Sequence, residues 1–115
     1  MAIQIIKNII SKNDLREIAK HQFGDMVKAV VDIEEGIMAI GGELHADEEA
    51  TMIKNGSKQQ DLWGINLHPD VAGDGWVEFN SMINIRPSQG NRSRGVENPA
   101  TQEKIREIIA RLIPK

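Results

Sequence analysis

Cysteine and tyrosine are absent from this 115-residue sequence, and its aromatic residues are limited to two tryptophans and two phenylalanines. Without cysteine, the chain cannot build a disulfide framework or use thiolates as metal ligands or nucleophiles. With so few aromatic rings, aliphatic side chains must form the core, and a surface that stacks nucleic-acid bases is hard to assemble.

A long apolar run and an excess of positive charge are also missing. No segment approaches the ~18 consecutive apolar residues of a membrane span. The N-terminal segment lacks the basic start and continuous apolar block of a signal peptide. The net charge of −3, with a pI near 5.6, gives no field for nonspecific nucleic-acid binding. We predict a cytoplasmic protein without membrane contact, for which nucleic acid is an unfavoured partner.

The composition is that of an ordinary soluble protein, with 40% hydrophobic and 27% charged residues. The length suits one compact domain, so we predict a single domain over residues 1–115. Its isoleucine-rich start predicts a strand within residues 2–9. Ser11 and Asp14 have the spacing of a capping box, which predicts a helix over residues 12–23 that ends at Gly24.

The next segments indicate a β-hairpin. Residues 26–33 are apolar and β-branched on both faces, interrupted only by Lys28 and Asp32, which is typical of a central strand. Residues 34–36, ending in a glycine, predict a turn, and residues 37–40 form the antiparallel partner.

Residues 46–56 allow two interpretations. Asp47 can cap a short helix that Asn55 and Gly56 close, or the strand continues and a hairpin turns at Asn55 and Gly56. We expect a strand to about residue 45 and then a short helix. On a strand, Glu43, His45 and Asp47 would project from one face, where they could hold a divalent metal or act as acid and base. The competing explanation is a solvated strand edge.

Two alternating segments follow, residues 62–68 and 76–86, and predict an antiparallel hairpin. One side is apolar, with Trp63, Ile65, Leu67, Val77, Phe79, Ile83 and Ile85. The other side, with three asparagines at positions 66, 80 and 84, would form one open polar face. Asn98 and Pro99 then start a helix that runs to about Ile113, with one apolar stripe that must cover a sheet or a partner.

The segment RPSQGNRSRG, residues 86–95, is rich in arginine, amides and glycine, and we call it the arginine loop. It leads into a helix N-terminus, where free N–H groups and the helix dipole attract anions, and arginine forks bind phosphate or carboxylate. Pairing of these arginines with acidic residues is the alternative. The predicted ligand contacts are Asn80, Asn84, Arg86, Gln89, Asn91, Arg92 and Arg94.

These segments together predict a single α+β domain with a mainly antiparallel sheet of four to five strands, and with the N-terminal and C-terminal helices packed on one face. No P-loop, dinucleotide fingerprint, G-x-S-x-G elbow or H-E-x-x-H helix is present, and no cofactor is identified.

Four segments resemble a family of small bacterial and archaeal proteins without an assigned function: FGDMVKAVVDIE, GGELHADEEA, NGSKQQDLWGINL and FNSMINIRPSQGNRSRGVENP. They cover most of residues 23–99. The resemblance implies a stand-alone module and assigns no catalytic role to any residue.

Two functions follow from the sequence. The first is a small-ligand or phosphate-binding module, with catalysis left open, whose anion site lies on the polar sheet face and the arginine loop. The second is a noncatalytic interaction module that forms a homodimer through its sheet face or its apolar helix stripe. Convergence of His45 and the arginines in one pocket would favour the first.

Overall fold

The computed structural model describes residues 2–114. These residues form a five-stranded antiparallel sheet with the strand order β1-β3-β2-β4-β5, and three α-helices. The strands are β1 (Gln4–Ile6), β2 (Val27–Asp32), β3 (Ile37–Ile40), β4 (Leu62–Leu67) and β5 (Val77–Glu78), and the helices are α1 (Lys12–Lys20), α2 (His45–Lys54) and α3 (Pro99–Leu112). The predicted α+β class, with a mainly antiparallel sheet of four to five strands, is confirmed.

Local sequence signals account for most of the element ends. Ser11 and Asp14 form the predicted capping box at the start of α1, with hydrogen bonds of 3.0 and 3.1 Å. The helix ends at Lys20, three residues earlier than expected, and Gly24 takes a left-handed φ of 91° beyond it. Asn98 caps α3 through a 2.8 Å hydrogen bond to the N–H of Ala100.

The first face of the sheet packs against α1 and α3, as predicted. Leu15 and Ile18 of α1 and Ile105 and Ile109 of α3 belong to the same buried cluster as Ile65 of β4. The apolar stripe of α3 therefore covers the sheet, and it is not available to a second protein molecule.

The second face is also covered, which corrects the expectation of one open polar face. Helix α2 contributes Met52 to a smaller buried cluster with Val30, Ala39 and Leu62. Residues 80–95, which we call the covering segment, lie beside α2 and add Ile83 to this cluster. The sheet is therefore enclosed between two helices on one side and one helix with an irregular segment on the other.

The predicted strand over residues 76–86 is wrong beyond its first residues. Strand β5 contains only Val77 and Glu78, and the chain then turns across the second face of the sheet. The turn forms where the apolar alternation contains a polar residue: the Ser81 hydroxyl accepts a hydrogen bond from the N–H of Ile83 and begins a 3₁₀ turn. Consequently Ile83 packs on the second face, and Ile85 is 39% exposed.

The segment around residues 43–56 contains a helix and no hairpin, which settles the open choice in favour of the helix. It begins at His45 rather than at Asp47, and Leu44 occupies the N-cap position without a side-chain hydrogen bond. The helix ends at Lys54 with Asn55 as its C-cap, followed by Gly56 with a φ of 106°, as expected. Among residues 2–114, none of the helices has the length and apolar content needed to cross a membrane.

Candidate functional site

Three polar residues of the covering segment, Asn84, Arg86 and Asn91, are buried and hold that segment in place; we call them the polar knot. The guanidinium of Arg86 donates from Nε to the carbonyl of Ile83 at 2.9 Å. Its other nitrogens donate to the Gln59 carbonyl at 2.9 Å, the Gln89 side chain at 3.3 Å and the Leu62 carbonyl. The carboxylate of Glu49 lies 3.8 Å away. The guanidinium therefore makes four hydrogen bonds to protein acceptors, and Glu49 adds an ion pair beyond hydrogen-bond distance.

The two asparagines of the polar knot also use their side-chain hydrogen-bonding groups within the protein. Asn84 pairs with the main chain of Gly64, accepting from its N–H at 2.8 Å and donating to its carbonyl at 2.9 Å. It also donates to the carbonyl of Arg94 at 2.9 Å. Asn91 donates to the carbonyls of Asn84 and Gly95 at 2.7 and 2.8 Å and accepts from Glu97 N–H at 2.8 Å. A ligand finds no unused donor on these side chains.

The cleft beside the arginine loop at the start of α3 lacks the chemistry expected there. It measures about 600 Å³, and its lining contains Gln89, Asn91 and Glu97 but no lysine or arginine. The N–H groups of Ser93 and Arg92 each donate to Glu97 Oε2 at 2.8 Å, and they hold the pKa of this carboxyl below its ordinary value. A carboxylate therefore already occupies the donors that an anion would use.

Glu43, His45 and Asp47 do not share one strand face, because α2 begins at His45. The helical rotation leaves Glu43 and Asp47 exposed while His45 turns inward and is buried. Within residues 2–114, no group of three or more histidine and carboxylate side chains is arranged to hold a metal ion. The predicted shared strand face is therefore wrong, although His45 itself lies in a cleft.

That cleft, the His45 cleft, has a volume of about 210 Å³ and lies between the N-terminus of α2, the second sheet face and the covering segment. It brings together three of the predicted residues, His45, Asn80 and Arg94. Its polar lining consists of Lys28, His45, Asn66, Asn80, Ser81 and Arg94.

Lys28 and Asn66 enter the cleft through the register of the sheet. Lys28 of β2 is paired with Asn66 of β4, and Asn66 is paired with Glu78 of β5, so the three side chains form one row across the second face. Sequence inspection marks Lys28 only as an interruption of an apolar strand. Its neighbours in the row are distant in sequence, so no local signal identifies it as part of a site.

Asn66 connects the cleft to a histidine–glutamate pair. Its Nδ2 donates to Glu78 Oε1 at 3.1 Å and to the carbonyl of Asn80 at 3.2 Å. His68 Nε2 lies 3.0 Å from the same Glu78 oxygen, and its hydrogen bond, followed by that of Asn66, lowers the pKa of Glu78. Because both acceptors attract the amide nitrogen, the orientation of the Asn66 carboxamide is fixed, and its Oδ1 points away from Glu78. This oxygen is buried without a hydrogen-bond donor among the described residues.

The tautomer of His45 is fixed by one contact. Its Nε2 lies 2.7 Å from the carbonyl oxygen of Ile65, which can only accept, so Nε2 carries the hydrogen. Burial lowers the pKa of the imidazole, and the charges of Lys28 and Arg94 lower it further against the opposing effect of the Ile65 hydrogen bond. The ring is therefore neutral at pH 7, and Nδ1 carries the free lone pair.

The cleft is electrically positive. Neither Lys28 nor Arg94 forms a salt bridge within residues 2–114. The N–H of Ser81 donates a hydrogen bond to the carbonyl oxygen of Arg94 at 2.9 Å. This bond fixes the main-chain position of Arg94, while its side chain is exposed. The first N–H groups of α2, which have no intrahelical acceptor and no side-chain cap, add the positive end of a helix dipole.

One acidic residue close to this cleft is neutral. Glu48 of α2 is fully buried, and burial raises the pKa of its carboxyl to about 9. Its Oε2 accepts a hydrogen bond from the N–H of Gly42 at 3.0 Å. At pH 7 the protonated Glu48 does not cancel the charge of Lys28.

The fold and the cleft define a class of small α+β proteins in which a five-stranded antiparallel sheet is covered on both faces and a polar cleft remains at one end. The chain belongs to a particular family, described as protein of unknown function DUF5674, whose model matches residues 4–112. No curated protein and no solved structure matches the chain. The expected resemblance to a family without an assigned function is confirmed, while a bacterial or archaeal origin stays a prediction.

Proposed function

We propose that this protein binds a small anionic ligand in the His45 cleft. The observation that carries the proposal is the convergence of two cationic side chains without carboxylate partners, Lys28 and Arg94, with the uncapped N-terminus of α2. Helix N-termini and arginine forks are the groups that proteins use to bind phosphate and carboxylate.

The proposal narrows the site predicted from the sequence. Of the predicted site residues, the cleft keeps His45, Asn80 and Arg94. It adds two residues that were not predicted as contacts, Lys28 and Asn66. The polar knot is left out because its donors are used within the protein, and Arg92 does not line the cleft. The cleft of about 210 Å³ is smaller than the ~300–1,000 Å³ of pockets for drug-sized ligands. The ligand is therefore a small metabolite.

The test is a titration of the purified protein with propyl phosphate and with propionate, followed by calorimetry and by amide NMR. Lys28→Ala and Arg94→Ala are each expected to weaken binding about 10- to 100-fold, because a hydrogen bond to a charged group contributes about 1.5–3 kcal/mol. Arg92→Ala is the matched control, since it removes an exposed arginine of the same loop that lies outside the cleft.

Two results would contradict the proposal. One is the absence of binding of either anion at millimolar concentration. The other is equal weakening by Arg92→Ala and Arg94→Ala, which would show that the arginine loop attracts anions only through its general charge.

The second candidate is a noncatalytic interaction module that forms a homodimer. Leu44 and Met82 favour it, because these apolar side chains are 56% and 65% exposed and both line the cleft. Light scattering tests this candidate: a dimer that Met82→Ser converts into a monomer supports it, and a monomeric wild-type protein at all concentrations contradicts it. Cytoplasmic localisation stays a prediction under both candidates.

A further inference from the structure

The His45 cleft has a cationic side and an apolar side. Lys28 and Arg94 line it together with Leu44, Met82 and Ile83. We call Leu44 and Met82 the apolar rim, because more than half of each side chain is exposed, whereas Ile83 is half-buried on the second sheet face. A single exposed apolar residue needs no explanation, but two of them beside two cations give one cleft two kinds of binding surface.

The local structure does not account for the apolar rim. Leu44 occupies the N-cap of α2, where serine, threonine, aspartate and asparagine are favoured and leucine is not. Met82 opens the 3₁₀ turn of residues 82–84, and it is the next residue, Ile83, that packs on the sheet. Neither rim residue belongs to a hydrophobic cluster within residues 2–114. Helix capping and core packing therefore leave the apolar character of both positions unexplained.

The cationic side is not neutralised by the protein. Lys28 is half-buried and Arg94 is exposed, and neither forms a salt bridge within residues 2–114. The Lys28 ammonium lies 5.2 Å from the centroid of the Phe23 ring, a cation–π contact that stabilises the charge without cancelling it. A ligand that matches both sides of the cleft carries a negative charge and an apolar group.

We propose that the ligand of the His45 cleft is a small amphiphilic anion, a carboxylate or phosphate monoester with a short aliphatic chain. Its charged group contacts Lys28 and Arg94, and its chain lies along the apolar rim. The cleft of about 210 Å³ corresponds to roughly seven water molecules of liquid volume, which suits a chain of a few carbons. This inference rests on the proposed function.

The discriminating experiment lengthens the ligand chain at constant charge. Propionate is compared with hexanoate, and propyl phosphate with hexyl phosphate, by calorimetry on the whole chain. Each longer compound is expected to bind at least ~10-fold more tightly, because three added methylene groups contribute about fourfold each when they are fully buried. The two pairs also distinguish a carboxylate from a phosphate as the preferred anion.

The failures of the two proposals are distinguishable. Equal affinities within each pair would overturn the amphiphilic ligand and leave the anion site standing. No binding by any of the four compounds would overturn the proposed function itself.

Met82→Ser tests the apolar rim directly. The affinity ratio of hexanoate to propionate is expected to fall at least ~3-fold in this variant, because the chain loses an apolar contact. The affinity for propionate is expected to stay within about twofold, since Lys28 and Arg94 are retained. Ile85→Ser is the matched control, because Ile85 is an exposed apolar residue of the same covering segment that does not line the cleft. An equal ratio in the two variants would overturn the proposal.

Leu44→Ser separates the ligand from the stability of α2. Serine at this N-cap is expected to raise the melting temperature, because its hydroxyl can accept from a free N–H group of the first turn. The hexanoate-to-propionate ratio is expected to fall in the same variant. A more stable protein with an unchanged ratio would contradict a ligand contact at Leu44.

Two other occupants of the apolar rim would give different results. Cosedimentation with phosphatidylserine vesicles that Met82→Ser abolishes, without a gain from the longer chains, would assign the rim to a membrane surface. A dimer that Met82→Ser dissociates and that persists in saturating hexanoate would assign it to a second copy of the chain. Either result would overturn the amphiphilic ligand.

Discussion

The polar knot and the His45 cleft use the same residue types in opposite ways. Arg86 lies in the knot and makes four hydrogen bonds to protein acceptors, whereas Arg94, eight residues later, forms no salt bridge among residues 2–114 and lines the cleft. Asn84 pairs with both main-chain groups of Gly64, whereas Asn66 leaves its Oδ1 without a donor. Both regions lie beside β4: Asn84 binds the main chain of Gly64, and Asn66 belongs to the cleft.

The difference shows that polarity alone does not identify a binding site. A buried arginine or asparagine with all its hydrogen bonds made within the chain fixes the fold. A buried polar group with an unpaired acceptor, such as Asn66 Oδ1, contributes less to holding the fold. The two regions differ in how completely their polar side chains are hydrogen-bonded within the protein, and this depends on tertiary structure.

The largest expected effect separates the two arginines. Arg86→Ala should lower the free energy of unfolding by about 3–5 kcal/mol, because it strips the carbonyls of Leu62 and Ile83 of their donor and leaves the half-buried Glu49 carboxylate unpaired. Arg94→Ala should change it by less than about 0.5 kcal/mol, since the side chain is exposed. Urea denaturation measures the free energy of unfolding of both variants. Similar decreases for Arg86→Ala and Arg94→Ala would contradict a structural role that is specific to the polar knot.

A smaller effect is expected at the glycine on which the knot rests. In Gly64→Ala, the new Cβ would lie 2.6 Å from both Cβ and Oγ of Ser81, so the covering segment must move. We expect a loss of about 1–3 kcal/mol, the usual cost of overpacking. Gly75→Ala is the control, because its Cβ would meet only Val71 Cγ1 at 3.7 Å. Equal melting temperatures for the two variants would mean that the covering segment is not tightly seated on β4.

The smallest effect is a pH dependence from the cleft. Because burial holds the pKa of His45 below its ordinary value of 6.5 in the folded protein, the unfolded chain binds the proton more tightly. The free energy of unfolding is therefore unaffected by His45 above pH 6.5. It decreases as the pH falls from 6.5 through the lower pKa of the folded state. Melting temperatures at pH 7.5 and 5.5 should differ more for the wild type than for His45→Gln. An equal difference in both proteins would contradict a buried, neutral His45.

Much of the fold was predictable because its signals are local. The capping pair Ser11 and Asp14, the glycine turn at residues 34–36 and the Asn98–Pro99 helix start each act within a few residues. The hairpin of β2 and β3 and the packing of α1 and α3 on one face follow from these elements and their apolar patterns.

The errors arose where distant residues override a local pattern. The alternation over residues 76–86 favours a long strand, but Asn84 takes the main-chain hydrogen bonds of Gly64 that a strand would have made. The alternating Glu43, His45 and Asp47 favour a strand face, but the buried Met52 and Glu48 draw this segment into a helix on the sheet. In both cases tertiary packing outweighs strand propensity.

The residues that line the proposed site were predictable only in part for the same reason. His45, Asn80 and Arg94 were identified as polar residues in suggestive positions, yet their convergence depends on the path of the covering segment. Lys28 and Asn66 join them through cross-strand pairing, which a single sequence does not reveal.

The shortness of the outer strands has a consequence for how this protein behaves at high concentration. The sheet ends in β1 with three residues and β5 with two. Exposed edges of this length offer few free N–H and C=O groups, so they are poor templates for adding a strand from another molecule. Edge-to-edge polymerisation and cross-β growth from the native state are therefore disfavoured, and any self-association has to use side-chain contacts.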